Sequence, residues 1–398
     1  MNENKNLPFE EAKKLALDSI AEWAWKFGLG TDPNSNGNPS TGIEIEESTI
    51  GQTYNFKTNQ ESIINFAKFE LNDYLSNGTY NNGERYVPFD FAANLSDSPE
   101  LEKAKQQLKQ KITERLEIVG TGEEGMGYDK FLNYILPDIK KIMEISPKYK
   151  ANLNSYNGST TIEEQSKKVA KVITQFTVSD KPGGIMSPAQ LIFSSIGQGI
   201  NQYSPLQLMS YITTLANGGT RYSLNLVDKV TTPDGKVIEQ VEPKILSQIK
   251  LKESTLTAVK EGMRRANDAD QGTAAGTFNS FPIPSAGKTG TADYNNNQRE
   301  FGRSPYATYV SFAPVDKPEI AFVGAIYDGG HGSYTAPVAK AAYEAYFKEK
   351  IMKEFPGYAQ SSESFKKYVL NAPKDNKDGD DNTSKENDTS AKKEENKH

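Results

Sequence analysis

Apolar residues recur at helical spacing along much of the chain. Between residues 101 and 116 they fall at every third or fourth position, which predicts an amphipathic helix with one buried face. The members of this stripe are Leu101, Ala104, Leu108, Ile112 and Leu116. A helix is also predicted over residues 9–27, because Pro8 suits the first turn and Gly28 suits the end. These patterns indicate a chain with a large helical content.

Two more helices and a sheet are predicted in the second half. Ser204-Pro-Leu-Gln207 has the form of a capping box with proline at the first helical position, and a further helix is predicted over residues 254–267. Three strands are predicted over residues 286–293, 306–312 and 320–327. A last helix, from Pro337 to about Met352, is predicted to cover the sheet with Val338, Ala341, Ala342 and Ala345. Helices on an antiparallel sheet predict an α+β fold.

The pattern divides the chain into four parts. Residues 1–51 and 181–358 carry the segments that predict a compact core, whereas residues 52–180 form a charged, mostly helical insertion whose Tyr and Phe residues are expected to pack in a small core. Residues 359–398 are predicted to be a disordered polar tail. Beyond about residue 372 almost nothing is apolar, and such a segment cannot offset its ordering entropy.

Composition excludes several kinds of function. The formal net charge of −6, with lysines interleaved among acids, argues against nucleic acid as the main partner. No stretch approaches the roughly 18 apolar residues of a membrane span, and the first 30 residues do not have the pattern of a signal peptide. With no cysteine and two histidines, no disulfide, metal site or cofactor is expected. A Ser-His-Asp triad would depend on His331, whose neighbouring glycines favour a turn and a capping or surface role.

The main chemical motif is Ser285-Ala-Gly-Lys288-Thr-Gly-Thr-Ala292. A Lys-Thr-Gly tripeptide among small residues is typical of an exposed strand edge that binds a ligand ending in a carboxylate. Gly287-Lys288-Thr289 also matches the end of a phosphate-binding loop, but that motif requires a glycine where this chain has Pro282. The carboxylate interpretation is therefore preferred.

Several other segments, separated along the chain, accompany this motif. They are Ser195-Ile-Gly-Gln-Gly199, Tyr203-Ser-Pro-Leu-Gln207, Leu215-Ala-Asn-Gly-Gly219-Thr-Arg-Tyr222, Tyr309-Val-Ser-Phe-Ala-Pro314 and Asp328-Gly-Gly-His331-Gly. In this order they resemble the C-terminal half of a penicillin-binding protein transpeptidase domain of the class B, cell-elongation kind. Residues 9–51 resemble the segment that follows that family's second catalytic motif. The resemblance implies the transpeptidase and serine β-lactamase-like fold, incomplete at its N-terminal side.

The family's other two motifs are not found where the resemblance requires them. The family uses a Ser-x-x-Lys nucleophile, a Ser-x-Asn motif and Lys-Thr-Gly. Ser-x-x-Lys matches occur at Ser247/Lys250, Ser285/Lys288, Ser364/Lys367 and Ser390/Lys393, and Ser-x-Asn matches at Ser155/Asn157 and Ser223/Asn225. All fall on the wrong side of the family's order and are interpreted as chance. The nucleophile and a membrane anchor are therefore expected upstream, and the chain is expected to be part of a larger protein.

The resemblance implies roles for four residues of the motif. Lys288 with the hydroxyls of Thr289 and Thr291 would hold the substrate carboxylate, Gly290 would let the ligand backbone come close, and the main-chain amide of Thr291 would contribute to an oxyanion hole. His331 would help to shape the substrate groove. The implied partners are peptidoglycan stem peptides, β-lactams, the N-terminal complement and membrane proteins of cell elongation, at the outer face of the cytoplasmic membrane.

Three function classes remain open from the sequence. The first is the C-terminal part of a peptidoglycan D,D-transpeptidase that is competent only with its complement, and it is preferred. The second is a non-catalytic wall-binding or scaffolding module of the same fold. The third, an unrelated hydrolase that uses His331, is the least favoured.

Overall fold

The computed structural model describes residues 7–32, 41–47, 51–81, 83, 85–121, 123, 125–293 and 300–372. Helices of the first half are α1 Phe9–Lys26, α2 Phe56–Asn77, α3 Pro99–Glu117, α4 Tyr128–Ile145, α5 Pro147–Ser155, α6 Ile162–Thr174, α7 Pro182–Ile185 and α8 Ala189–Ser195. Those of the second half are α9 Pro205–Ala216, α10 Glu253–Asp268, α11 Ala275–Phe278, α12 Ala336–Tyr346, α13 Lys348–Glu354, α14 Pro356–Ser361 and α15 Glu363–Phe365. π-Helical turns span Gln175–Asp180 and Lys366–Leu370, and a 3-10 helix spans Gly332–Thr335.

The strands form one three-stranded sheet and two small hairpin-like pairs. They are β1 Thr220–Tyr222, β2 Lys229–Thr231, β3 Val237–Gln240, β4 Ile245–Gln248, β5 Ala286–Ala292, β6 Tyr306–Ala313 and β7 Ile320–Ile326. The main sheet has the order β5-β6-β7 and is antiparallel, with Lys288 opposite Val310 and Val310 opposite Val323. The three predicted strands and the α+β class are confirmed. Within the described ranges, β5 and β7 each pair with a strand on one side only.

Helices α2 to α6 pack around a core of their own. The predicted stripe on α3 is confirmed, because all five of its members are buried. Ser98 begins α3 by accepting a hydrogen bond from the Leu101 amide, and Asn55 begins α2 with a capping box. Aromatic residues fill this core, as predicted; those buried include Phe56, Tyr86, Phe89, Phe91, Phe131 and Phe176. The region between residues 52 and 180 is therefore helical and well packed.

The main sheet has helices on both faces. On one face, Ile212 and Leu215 of α9 pack against Ala286 and Phe312, and the predicted capping box at Ser204 is present. On the other face, α12 packs on Tyr309, and the Tyr343 hydroxyl lies 2.7 Å from Ser311 Oγ. The hydroxyl pair satisfies two polar groups that are fully buried. Strand β5 is thus supported from both sides and open only along its edge.

The predicted packing face of the last helix is wrong. The helix is divided at Phe347 into α12 and α13, and its buried apolar residues are Ala336, Ala339, Tyr343, Phe347 and Ile351. Val338, predicted to face the sheet, is 54% exposed. The predicted stripe contained three alanines, whereas the observed face buries two aromatic rings, which remove far more apolar surface from water.

The predicted disorder from residue 359 is also wrong over residues 359–371. This stretch is mostly helical and packs Phe365 and Val369 into the core around Tyr343. Its average composition is polar, but the few apolar side chains fall at helical spacing and reach one core. Residues 373–398, the rest of the predicted tail, lie outside the described residues.

None of the helices within the described ranges is both long enough and apolar enough to cross a membrane.

Candidate active site at the open edge of strand β5

The main-chain groups of Thr289 and Thr291 face the open edge of β5. The Thr289 carbonyl oxygen accepts a hydrogen bond from Lys288 Nζ at 2.6 Å, and the Thr291 carbonyl oxygen accepts one from Gln198 Nε2 at 3.3 Å. Both donors are side chains, so these carbonyls do not point at β6. Because the N–H and C=O of one residue in an antiparallel strand point to the same side, the Thr291 amide also faces the open edge.

The side chains of the motif divide between the two faces of the sheet. Alternation along the strand puts Lys288 and Gly290 on one face and Thr289 and Thr291 on the other. Lys288 is exposed, and its bond to the Thr289 carbonyl brings the ammonium to the open edge. The edge therefore combines a positive charge with outward main-chain donors and acceptors, which suits a ligand that has an extended backbone and a carboxylate.

The two threonine hydroxyls already have protein partners. Thr289, which is 8% exposed, donates from Oγ1 to Thr273 Oγ1 at 2.9 Å, and Thr291 Oγ1 accepts from the Gly332 amide at 3.1 Å. Each hydroxyl retains further hydrogen-bonding capacity. The structure thus places Lys288, Thr289 and Thr291 within one stretch of edge; their roles in binding a carboxylate stay predictions.

The glycine turn before α12 lies directly on β5. A Cβ atom on Gly332 would lie 2.4 Å from the Gly290 carbonyl oxygen, so only glycine fits there. On Gly290 itself, a Cβ atom would meet Thr308 Oγ1 at 2.2 Å. A side chain at residue 290 would therefore require the Thr308 hydroxyl to move, whatever ligand the edge receives.

A buried hydrogen-bond network fixes the start of β5, and no pattern along the chain predicted it. Asn267 of α10 donates from Nδ2 to Ser285 Oγ at 2.9 Å and accepts from the Tyr309 hydroxyl at 2.7 Å. Burial raises the pKa of Tyr309, which keeps the phenol protonated as a donor. One feature of the sequence could have indicated this network: residue 267 lies four positions after Met263 and therefore on the same buried face of the helix.

His331 caps the 3-10 helix, as its glycine neighbours suggested. Its Nδ1 accepts from the Ser333 amide at 3.3 Å and lies 2.8 Å from Ser333 Oγ. In the part of the chain that the structure describes, no carboxylate forms a hydrogen bond with His331, and the nearby Asp328 pairs with Arg303. A Ser-His-Asp triad is therefore not assembled among these residues.

The structure gives the Ser-x-x-Lys matches ordinary packing roles. Ser285 and Lys288 lie on opposite faces of extended chain, because residues three apart in a strand alternate. Ser247 Oγ accepts from Arg221 Nε at 3.3 Å, and Ser364 Oγ donates to Glu344 at 2.7 Å. The match at Ser390 lies outside the described residues.

The Ser-x-Asn matches are structural as well. Ser155 Oγ donates to the Ala151 carbonyl at 3.1 Å at the end of α5, and Ser223 Oγ donates to the Gly42 carbonyl at 2.7 Å. Of the residues that can be described, no three His, Cys, Asp or Glu side chains are grouped so that they could hold a metal ion.

Comparison with known proteins locates this region within a family. Residues 152–344 match the model of the penicillin binding protein transpeptidase domain. Penicillin-binding protein 2A of Bacillus subtilis is 33% identical over 187 residues, which cover 43% of this chain and 26% of the relative. Peptidoglycan D,D-transpeptidase PbpA of Mycolicibacterium smegmatis is 29% identical over 178 residues, covering 42% of this chain and 34% of the relative. The chain thus spans about a third or less of these relatives' length.

Solved structures of penicillin-binding proteins also match part of the chain. A ceftriaxone acyl-enzyme complex of penicillin-binding protein A from M. tuberculosis has a TM-score of 0.34 and 26% identity, covering 42% of this chain and 37% of that one. The matched range 152–344 contains α9, β5 and His331 and begins inside the predicted insertion, while the resemblance of residues 9–51 stays a prediction. Residues 152–344 of this chain therefore match the penicillin-binding protein transpeptidase domain, in agreement with the chain's similarity to these relatives.

Proposed function

We propose that this chain provides the Lys288 edge of a serine-type peptidoglycan D,D-transpeptidase, which cross-links stem peptides and is acylated by β-lactams. The observation that carries the proposal is the open edge of β5, where the Lys288 ammonium, the Thr289 carbonyl and the Thr291 amide lie together. The family match over residues 152–344 supports it.

A stem peptide would bind along this edge as an added strand. Its terminal carboxylate would pair with Lys288 and accept from the hydroxyls of Thr289 and Thr291, since charge-assisted hydrogen bonds are the stronger kind. The Thr291 amide would donate to the oxygen of the scissile carbonyl as negative charge develops there. Removal of one such oxyanion donor costs about 2.7 to 4 kcal/mol in comparable enzymes.

The nucleophilic serine would come from a segment outside these 398 residues. Its oxygen would add to the D-alanyl carbonyl, and the bond to the terminal D-alanine would break as that amine takes up the serine proton, carried by a lysine one helical turn away. The amine of a second strand would then displace the serine, which recovers a proton. In this chain's own Ser-x-x-Lys matches, the serines at residues 247, 285 and 364 form hydrogen bonds with neighbouring side chains. These bonds support the proposal that the nucleophile comes from another segment.

Two surfaces would receive the complementary segment. The outer side of β7 pairs with no strand of the described residues, and α8 exposes Ile192 and Phe193 together with the adjacent Ile196. Unpaired edges and apolar patches of this kind favour association. We extend the proposal to a location at the outer face of the cytoplasmic membrane, through an anchor on the complement, and to partners among the membrane proteins of cell elongation.

The test measures intact mass after incubation with benzylpenicillin. We expect no stable adduct on this chain alone, and a stoichiometric adduct on the complement when this chain is co-expressed with a segment that carries Ser-x-x-Lys and Ser-x-Asn. Lys288→Ala is expected to abolish the adduct. Lys317→Ala, in the turn between β6 and β7, is the matched control and is expected to leave it unchanged.

The outcomes separate the alternatives. An adduct on this chain alone that Lys288→Ala removes would show that one of its own serines completes the site. An adduct on the complex that Lys288→Ala leaves intact would overturn the role of the β5 edge. A complex that forms but never reacts, while this chain still retains stem peptide, would favour the non-catalytic wall-binding module.

A further inference from the structure

Trp23 of α1 is an exposed aromatic side chain that is not part of the proposed peptide site. Its side chain is 49% exposed, whereas Trp25, two residues further along the helix, is half-buried. A large apolar ring left at the surface is informative because tryptophan is buried on average. Indole rings commonly serve as rigid binding surfaces with one apolar face and one polar tip.

Trp23 forms one wall of a surface pocket of about 310 Å³. The pocket is lined by Trp23, Lys26, Ser247, Gln248, Ile249 and Lys250. Helix α1 therefore provides the aromatic wall, and β4 with the residues after it provides a floor that carries a hydroxyl and an amide. The Lys26 ammonium lies 4.4 Å from the centre of the Trp23 ring, so a cation and an aromatic surface are presented together.

The charges that line this pocket are all positive. Lys26 and Lys250 both line it, and none of its lining residues is acidic. Among the described residues, no carboxylate forms an ion pair with either lysine. Behind the floor, Arg221 Nε donates to Ser247 Oγ at 3.3 Å, and Glu47 acts on the Arg221 guanidinium electrostatically, so the positive charge of the pocket rests on the two lysines. On a chain with a net charge of −6, this local positive cluster points to an anionic ligand.

We propose that the Trp23 pocket binds the glycan strand of the cell wall through a sugar residue that carries a carboxylate. The flat C–H face of a pyranose ring would pack on the Trp23 indole, its carboxylate would pair with Lys26 and Lys250, and its hydroxyls would exchange hydrogen bonds with Ser247 and Gln248. A linear polyol phosphate would satisfy the lysines but offers no ring to the indole. The pocket goes beyond the proposed peptide site, because it takes the sugar polymer and does not involve Lys288.

The chain contains two tryptophans, so intrinsic fluorescence reports on this pocket directly. The probe is soluble glycan strands that an amidase has freed of stem peptides, which leaves lactyl carboxylates on the sugars. We expect a saturable change in emission that Trp23→Phe abolishes and Trp25→Phe retains. Lys250→Gln is expected to weaken binding about fivefold, as for one partly exposed charge contact, and Lys252→Gln, which lies outside the pocket, is expected to have no effect.

Several results would overturn the proposal. Equal binding by a neutral chitin oligosaccharide would remove the role of the lysines, and equal binding by poly(glycerol phosphate) would remove the sugar. An unchanged response in Trp23→Phe would place the ligand elsewhere. If Trp23→Phe does not fold, Lys250→Gln decides the question, because its side chain is exposed. Lys288→Ala is expected to bind glycan normally, so a failure here and a failure of the peptide site are distinguishable.

Discussion

At the scale of single residues, the geometry of β5 depends on the glycine turn that packs against it. Gly332 approaches the Gly290 main chain so closely that no side chain fits, and its amide donates to Thr291 Oγ1 at 3.1 Å. The turn therefore holds the strand at the residues proposed to bind substrate. A change at residue 332 acts on the site through the backbone.

Gly332→Ala is expected to destabilise the protein by several kcal/mol, because its Cβ would overlap a backbone atom that cannot move without shifting β5. Gly357→Ala, in α14, is the control: a Cβ there meets nothing within 4 Å, and alanine is the better helix former by about 1 kcal/mol. Urea unfolding of both variants measures the difference. Similar stabilities for the two variants would mean that the turn at residue 332 can shift to accommodate a Cβ atom at little cost in free energy.

Asp18 is a partly buried carboxyl group whose pKa is raised in the folded protein. Its Oδ1 accepts from the Phe56 amide at 2.6 Å, which ties α1 to the start of α2. Burial raises the pKa of Asp18 above its ordinary value, although the Phe56 hydrogen bond opposes this shift. A carboxyl whose pKa is higher in the folded state binds its proton more tightly there, so this group's contribution to stability falls as the pH rises through the interval between the two pKa values.

Asp18→Asn is therefore expected to gain stability relative to the unaltered chain as the pH rises from about 3 to about 7. The amide oxygen can still accept from Phe56, so the hydrogen bond is kept. Free energies of unfolding measured for both proteins across this range test the sign. A difference that does not vary with pH, or that shrinks toward neutrality, would contradict it.

At the scale of elements, the segment from Pro356 to Asn371 closes the core below α12. Glu344, fully buried, accepts at Oε1 from the hydroxyls of Tyr358 at 2.5 Å, Ser362 at 3.0 Å and Ser364 at 2.7 Å. The same segment buries Phe365 beside Tyr343. The three hydroxyl donors satisfy one oxygen of a side chain that is costly to bury, whereas its Oε2 has no hydrogen-bond partner among the described residues. This segment is thus part of the folded unit.

Deletion of residues 356–398 is expected to lower stability strongly. The loss of a buried phenylalanine alone corresponds to about 1.5 to 3 kcal/mol of transfer free energy, and Glu344 would lose its donors. Deletion of residues 373–398, which removes only the polar sequence, is the control and is expected to leave the melting temperature unchanged. Equal melting temperatures for the two truncations would show that the segment contributes little.

At the scale of the whole molecule, the hydrophobic cores divide the chain. One core is built from residues between Leu17 and Met186, and the two cores on the sheet are built from residues between Ile212 and Val369. A cooperative unit is held together by its shared core. The helical region and the sheet region are therefore expected to lose structure separately.

Leu108→Ala in the helical core is expected to cost about 2 to 5 kcal/mol and to increase hydrogen exchange in α3 and α4 without affecting β5 and β6. Phe278→Ala, in the core below the sheet, should have the reverse pattern. Hydrogen exchange followed by mass spectrometry resolves the two regions. If either substitution raises exchange throughout the chain, the protein unfolds as one unit.

Local pattern alone determined much of this architecture. The helices α1, α3, α9 and α10, the strands β5 to β7 and the position of the Lys288 motif were all predictable, because their signals are periodicity, caps and turn residues within one segment. The order of motifs also indicated the family. These features depend on neighbours along the chain, which a sequence displays directly.

Tertiary structure decided which surfaces meet. The face that α12 buries, the docking of Phe365, the Asn267 network and the contact of Gly332 with Gly290 all join residues that are distant in sequence. The pocket beside Trp23 likewise exists only because α1 lies next to β4. Such contacts are selected by the shape and total burial of the folded molecule, so a local pattern that allows several of them cannot choose among them.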